Sequence, residues 1–119
     1  MNNLTEGIQN SVKYIEDNLT SELDINDISA RAYLSPFYFQ KIFCVLCGVT
    51  VGEYIRSRRL TLAAEELSSG TPRVLDIALK YGYESQDSFS RAFTKFHGIT
   101  PSAAKEKELS IPQSIAKIT

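Results

Sequence analysis

No apolar run in the chain approaches bilayer-spanning length, and Met1-Asn-Asn-Leu-Thr-Glu-Gly7 is polar with no basic region. Neither a transmembrane helix nor a signal peptide is expected, and the chain reads as cytoplasmic with no membrane partner. Histidine occurs once, at His97. No acid, base and nucleophile converge in any motif, so an enzyme reading has little support. Cysteine occurs twice, as the C-x-x-C of Cys44 and Cys47. A thioredoxin-like pair needs a βαβ setting, and nothing here reads as strands. A structural zinc needs four ligands, and His97 is the single histidine beside the two thiols. Both cysteines fall within a helical pattern containing Ile42, Phe43 and Leu46, and are read as packing or surface residues. Metal shared between two copies is the remaining alternative, and no cofactor is expected. The formal net charge of −1 argues against a generally sticky nucleic-acid binder.

The chain has 119 residues, 43% of them hydrophobic, which suits one compact domain or two very small ones sharing a linker. Its charge is uneven. Residues 1–31 hold six acids against two bases, whereas residues 32–98 hold eight bases against six acids. Such asymmetry can place a basic face on an overall acidic protein.

The periodicity is helical throughout. Ile8, Val12, Ile15 and Leu19 space a helix over about 5–19. Asp24 caps a short helix carrying Ile25, Ile28 and Ala32. Ser35-Pro36 opens the next, with serine at the cap and proline where its missing amide does no harm; it ends at Gly48. A longer helix covers about 51–69, with Leu60, Ala63, Ala64 and Leu67 as its apolar stripe, and Ser68-Ser-Gly-Thr-Pro72 breaks it. A short helix begins near Val74, and Thr100-Pro101 caps a last one to about Lys107.

The stretch from Tyr81 to Gly98 reads as a tight turn, the N-cap Ser85, a helix and a glycine stop. Phe89, Ala92, Phe93 and Phe96 form its apolar face at i, i+3, i+4 and i+7. Asp87, Ser90, Arg91 and Thr94 lie opposite, with Gln86 at the N-terminal end. Many surface helices look like this, but the chain carries the unit twice. At an offset of fifty residues Ser35 falls on Ser85, Phe39 on Phe89, Lys41 on Arg91, Phe43 on Phe93, Gly48 on Gly98 and Thr50 on Thr100. Upstream, Ile28-Ser29 matches Ile77-Ala78 after a one-residue difference in the turn. The repeated unit fits a helix-turn-helix, whose second helix can enter a DNA major groove; a plain helical bundle built by duplication is the alternative.

In the first copy Phe39, Ile42, Phe43 and Leu46 are expected to face inward. Phe37, Lys41 and Cys44 then point away, with Gln40 at their flank. An outward phenylalanine can contact a thymine methyl while Gln or Lys reaches base edges; a partner protein could equally want it. A connecting helix of about eighteen residues would span roughly 27 Å, and with its turns could hold two reading helices about one DNA turn apart. Arg56, Arg58 and Arg59 cannot all point the same way on a helix. One or two are expected to reach phosphate and one to be structural, between the halves.

The runs Arg59-Leu-Thr-Leu-Ala-Ala-Glu-Glu-Leu67, Asp76-Ile-Ala-Leu-Lys-Tyr-Gly-Tyr-Glu-Ser-Gln86 and Phe89-x-x-x-Phe93…Gly98-Ile-Thr-Pro101 resemble the DNA-binding domain of AraC/XylS-type transcriptional regulators. The resemblance covers about residues 5–107. It implies an all-α fold of about seven helices: two helix-turn-helix subdomains, over about 24–47 and 74–97, joined by the long helix at about 51–69. It also implies double-stranded DNA and RNA polymerase as partners. Base readout would fall to Phe37, Gln40 and Lys41 in the first motif (reading helix about 36–47). In the second (about 86–97) it would fall to Gln86, Asp87, Ser88, Ser90 and Arg91. Phosphate contacts are expected from Ser35, Tyr38, Arg56 and Arg58, and from Ser85, Thr94 and Lys95.

Four features depart from the family pattern: the acid at Asp87, the absence of an aromatic in Ser102-Ala-Ala-Lys105, Val51 where proline is frequent, and the low pI. Residues 108–119 read as a tail or the start of a linker. A small-molecule effector would act only through a further domain, for which the Ile111, Ile115 and Ile118 region is a candidate start. The competing class is a helical protein-interaction module that uses Phe37 and the acidic first helix.

Overall fold

The computed structural model describes residues 3–69 and 72–106. Among them the regular elements are seven helices: α1 (Asn3–Asp17), α2 (Ile25–Ala30), α3 (Pro36–Cys47), α4 (Val51–Leu67), α5 (Val74–Lys80), α6 (Gln86–His97) and α7 (Pro101–Glu106). None is long and apolar enough to cross a membrane. Gly70 and Thr71 of the expected break, Lys107, and the tail with Ile111, Ile115 and Ile118 lie outside the described residues. The chain forms two compact units whose boundary follows Arg56, inside α4.

In the first unit Asp24 caps α2 by accepting from the Asn26 amide at 2.7 Å. Ser35 caps α3 by accepting from the Tyr38 amide at 3.2 Å. Ile8, Ile15, Leu19, Ile28, Phe39 and Phe43 are buried; Leu19 sits just beyond α1 rather than inside it. Gly7 lets α1 lie against the chain leaving α2, since a Cβ there would stand 3.1 Å from the Ala32 carbonyl oxygen. Thr50 and Glu53 open α4 as a reciprocal capping box. The Thr50 amide donates to the Glu53 carboxylate at 2.9 Å and the Glu53 amide to the Thr50 hydroxyl at 3.1 Å. One expectation fails here: Leu46 is not inward but 51% exposed, and Ile42 is only half-buried. Phe43 is the last buried residue of α3, and residues 44–47, its last turn, are exposed to solvent.

The second unit has a continuous core of Leu60, Ala63, Ala64 and Leu67 from α4, Ile77 and Ala78 from α5, Phe89 and Phe93 from α6, Ala104 from α7, and Tyr81. His97 packs against Phe93 and Phe96, with ring centroids 4.4 and 4.8 Å away, and its Nε2 lies 2.9 Å from the Leu60 carbonyl. Burial pushes the imidazole below its ordinary pKa.

The internal repeat survives in three dimensions. The Phe39–Phe43 and Phe89–Phe93 rings pack with centroids 5.7 and 5.5 Å apart, tilted by 50° and 51°. Gly48 and Gly98 end their helices at the same left-handed φ of 81°. The turns differ in one informative way. Leu34 donates to Ser29 as Tyr83 does to Ala78, and Tyr33 donates to Ala30 as Gly82 does to Leu79. Tyr33 therefore occupies the place of Gly82, and Glu84 is the extra residue of the second turn.

Gly82 adopts φ 87° at no steric cost, whereas Tyr33 adopts φ 58° with a Cβ, and its side chain is 90% exposed. Little packing opposes relief of that strain. Tyr33→Gly is expected to raise stability by roughly 0.5–1 kcal/mol in urea unfolding, and Tyr33→Ala to leave it nearly unchanged. Equal effects of the two changes would contradict the strain argument.

Candidate nucleic-acid interface

Burying the two phenylalanines of each second helix forces the intervening positions outward, and these carry the residues of interest. On α3, Phe37 is 76% exposed, and Tyr38, Gln40 and Lys41 are exposed with it. The Lys41 ammonium stands 6.0 Å from the Phe37 ring centroid, at the outer reach of a cation–π contact. The Gln40 amide donates to the Pro36 carbonyl at 3.2 Å, so it is folded back on its own helix and must let go before it can reach a base.

On α6, Gln86, Asp87 and Arg91 are exposed, and Ser88, Ser90 and Thr94 are half-buried. Ser90, Arg91, Thr94 and Lys95 line one shallow, open concavity along the helix. Ser85 and Ser88 serve the helix start. The Ser85 hydroxyl accepts from the Ser88 amide at 3.1 Å, and the Ser88 hydroxyl donates to the Ser85 carbonyl at 3.1 Å. Asp87 and Arg91 form an ion pair, Nη1 to Oδ2 at 3.0 Å, with both side chains 75% exposed.

The three arginines at the start of α4 separate as sterics require. Arg56 is exposed and Arg58 and Arg59 are half-buried. The Arg59 guanidinium lies against the turn of the second unit, 3.5 Å from where a Cβ on Gly82 would stand, and burial lowers its pKa. Arg59 thus packs within the second unit, while Arg56 stands in solvent.

Cys44 and Cys47 are both free and exposed. Among the described residues no group of three or more His, Cys, Asp or Glu side chains is placed to hold a metal ion.

Two features of this surface escaped the reading of the chain. Tyr33 is the most exposed of the large apolar residues, and only its alignment with Gly82 marks it. The Asp87–Arg91 pair did have a signal, an acid four residues before a base in a helix.

A family model described as a helix-turn-helix domain matches residues 28–107. The regulatory protein SoxS of Salmonella typhimurium is 39% identical over 95 residues, covering 80% of this chain and 89% of SoxS. Among solved structures, an AraC-type transcriptional regulator from Chromobacterium violaceum superposes with a TM-score of 0.81 at 22% identity, over 87% of this chain and 93% of that one. The DNA-binding domain of AdpA, solved in complex with a target DNA, gives 0.78 at 23% identity, over 90% and 97%. At these identities the two structures speak for the fold.

Proposed function

The chain belongs to the AraC-type family of helix-turn-helix transcriptional regulators, and from that membership we propose that it binds an asymmetric promoter site in double-stranded DNA, α3 and α6 each entering a major-groove segment. The observation that carries this reading is a duplicated scaffold with unlike edges. Under the same serine cap, and on the far side of the same phenylalanine pair, α3 presents Phe37, Gln40 and Lys41 where α6 presents Asp87, Ser90 and Arg91. Equivalent positions with different chemistry suit a site without two-fold symmetry.

In this reading Phe37 meets a thymine methyl, Gln40 an adenine edge, and Lys41 and Arg91 guanine edges. Gln86, Ser88 and Ser90 supply shorter polar contacts. Phosphates are held by Tyr38, Arg56, Arg58, Thr94 and Lys95, and at the helix starts by Ser35 and Ser85. The bound protein would then recruit or block RNA polymerase, and an effector would act only through a domain beyond these residues.

Affinity for a selected duplex should fall linearly in a plot of log K against log salt, with a slope of about −0.9 per neutralised phosphate. Absence of any mobility shift on random duplexes at low salt would refute the proposal.

A further inference from the structure

Both reading helices place a cation at their sixth residue and a partner for it at their second, one turn earlier. On α3 the pair is Phe37 and Lys41; on α6 it is Asp87 and Arg91. The two pairs coincide under the fifty-residue repeat, so position two carries an aromatic ring on one helix and an acid on the other. An exposed ion pair contributes little to stability, and an acid facing a groove repels phosphate. Asp87 therefore needs another reason to stand on this edge.

We propose that Asp87 is the positioning residue of the second reader. Its carboxylate holds the Arg91 guanidinium in one orientation for a guanine, and itself accepts from the exocyclic amino group of a cytosine or adenine in a neighbouring base pair. The inference rests on the groove-reading role proposed for α6. Its physical content is a division of labour. Unpaired, Arg91 could neutralise any phosphate within reach; paired at 3.0 Å, it is part of a net-neutral group whose affinity depends on finding donors and acceptors in the right places. Arg91 keeps further N–H donors beyond the one aimed at Asp87, and the carboxylate keeps acceptor capacity. On α3 the cation faces an aromatic ring instead, which favours a neighbouring thymine methyl. The two half-sites are thus expected to differ at equivalent positions: guanine beside an amino-bearing base under α6, guanine beside thymine under α3.

The test is selection from a random duplex library with the full chain and with Asp87→Ala, Asp87→Asn, Asp87→Glu, Arg91→Ala and the Asp87→Ala/Arg91→Ala double variant, each also followed in thermal unfolding. Asp87→Ala and Asp87→Asn should bind random DNA more tightly than the parent, while the guanine preference under α6 falls roughly ten- to hundred-fold. Asp87→Glu should restore part of that preference, and the double variant should match Arg91→Ala alone at that position. A purely structural carboxylate would shift melting and change affinity evenly across sequences, with no change in base preference, and that result overturns the proposal. If Arg91→Ala loses the preference and the neutral Asp87 variants keep it, α6 still reads DNA but the pairing is incidental. If Arg91→Ala keeps every preference, the assignment of Arg91 to base readout falls and the inference with it.

Discussion

Phe93→Ala is expected to lower the unfolding free energy of the second unit by about 3–5 kcal/mol. Phe93 is fully buried, packs its ring at a tilt against Phe89 at 5.5 Å and His97 at 4.4 Å, and belongs to the core in which α4, α5, α6 and α7 meet. Truncation removes a whole ring from an interior whose other members are held by four helices, so the gap can close only in part. A unit this small has little surplus stability, on the order of a few kcal/mol. Losing most of it would unfold α6 at ordinary temperature and take the proposed reading edge with it. Phe96→Ala, one turn on at a half-buried position, should cost about half as much or less. Urea unfolding followed by circular dichroism measures both. A Phe93→Ala change below about 1 kcal/mol would contradict the single-core account of this unit.

The position of that core was legible before any coordinates, for a simple reason. Phe89 and Phe93, Leu60, Ala63, Ala64 and Leu67 recur at helical spacing, and helical spacing dictates one face. The serine caps at Ser35 and Ser85 and the glycine stops were legible as well, because free amides at helix starts and left-handed turns at helix ends select a few residue types. Together with the repeat they marked out two copies of one helical unit; that the units are helix-turn-helix motifs rather than parts of a plain bundle came from the family resemblance.

What could not be read depends on where a helix runs out of neighbours. Leu46 fits the apolar stripe of α3, yet among the described residues nothing in its unit covers it fully, and it is 51% exposed. Tyr33 in a left-handed turn is invisible to residue preference, because propensity predicts glycine there and the second copy has it. That Arg59 lies against the turn at Gly82, 23 positions away, depends on how the chain folds back and not on local spacing. Asp87 looked anomalous alone on the outward face of α6; the structure pairs it with Arg91 at 3.0 Å.

The largest polar contribution to the second unit should come from Glu66. Its carboxylate accepts the Tyr81 hydroxyl and pairs with the Lys80 ammonium at 2.9 Å, tying α4 to α5 and to the turn that precedes α6. Tyr81 is only 3% exposed. Burial first, and then Glu66, push its titration well above the ordinary tyrosine value. Glu66→Ala removes the acceptor of that hydroxyl at a part-buried site and is expected to cost about 2 kcal/mol. Tyr81→Phe removes donor and hydroxyl together while Glu66 keeps Lys80, and should cost about 1 kcal/mol. The pH dependence follows from the direction of the shift. The folded protein holds the phenol neutral where the unfolded chain would ionise it, so this contribution is intact below the unfolded value of 10.0 and declines as pH rises beyond it. Tyr81→Phe should flatten that alkaline decline. Comparing urea midpoints of the parent and the two variants from pH 8 upward decides the matter. A Glu66→Ala loss no greater than that of Tyr81→Phe, or an alkaline slope unchanged by Tyr81→Phe, would show that the carboxylate does not hold α5 in place.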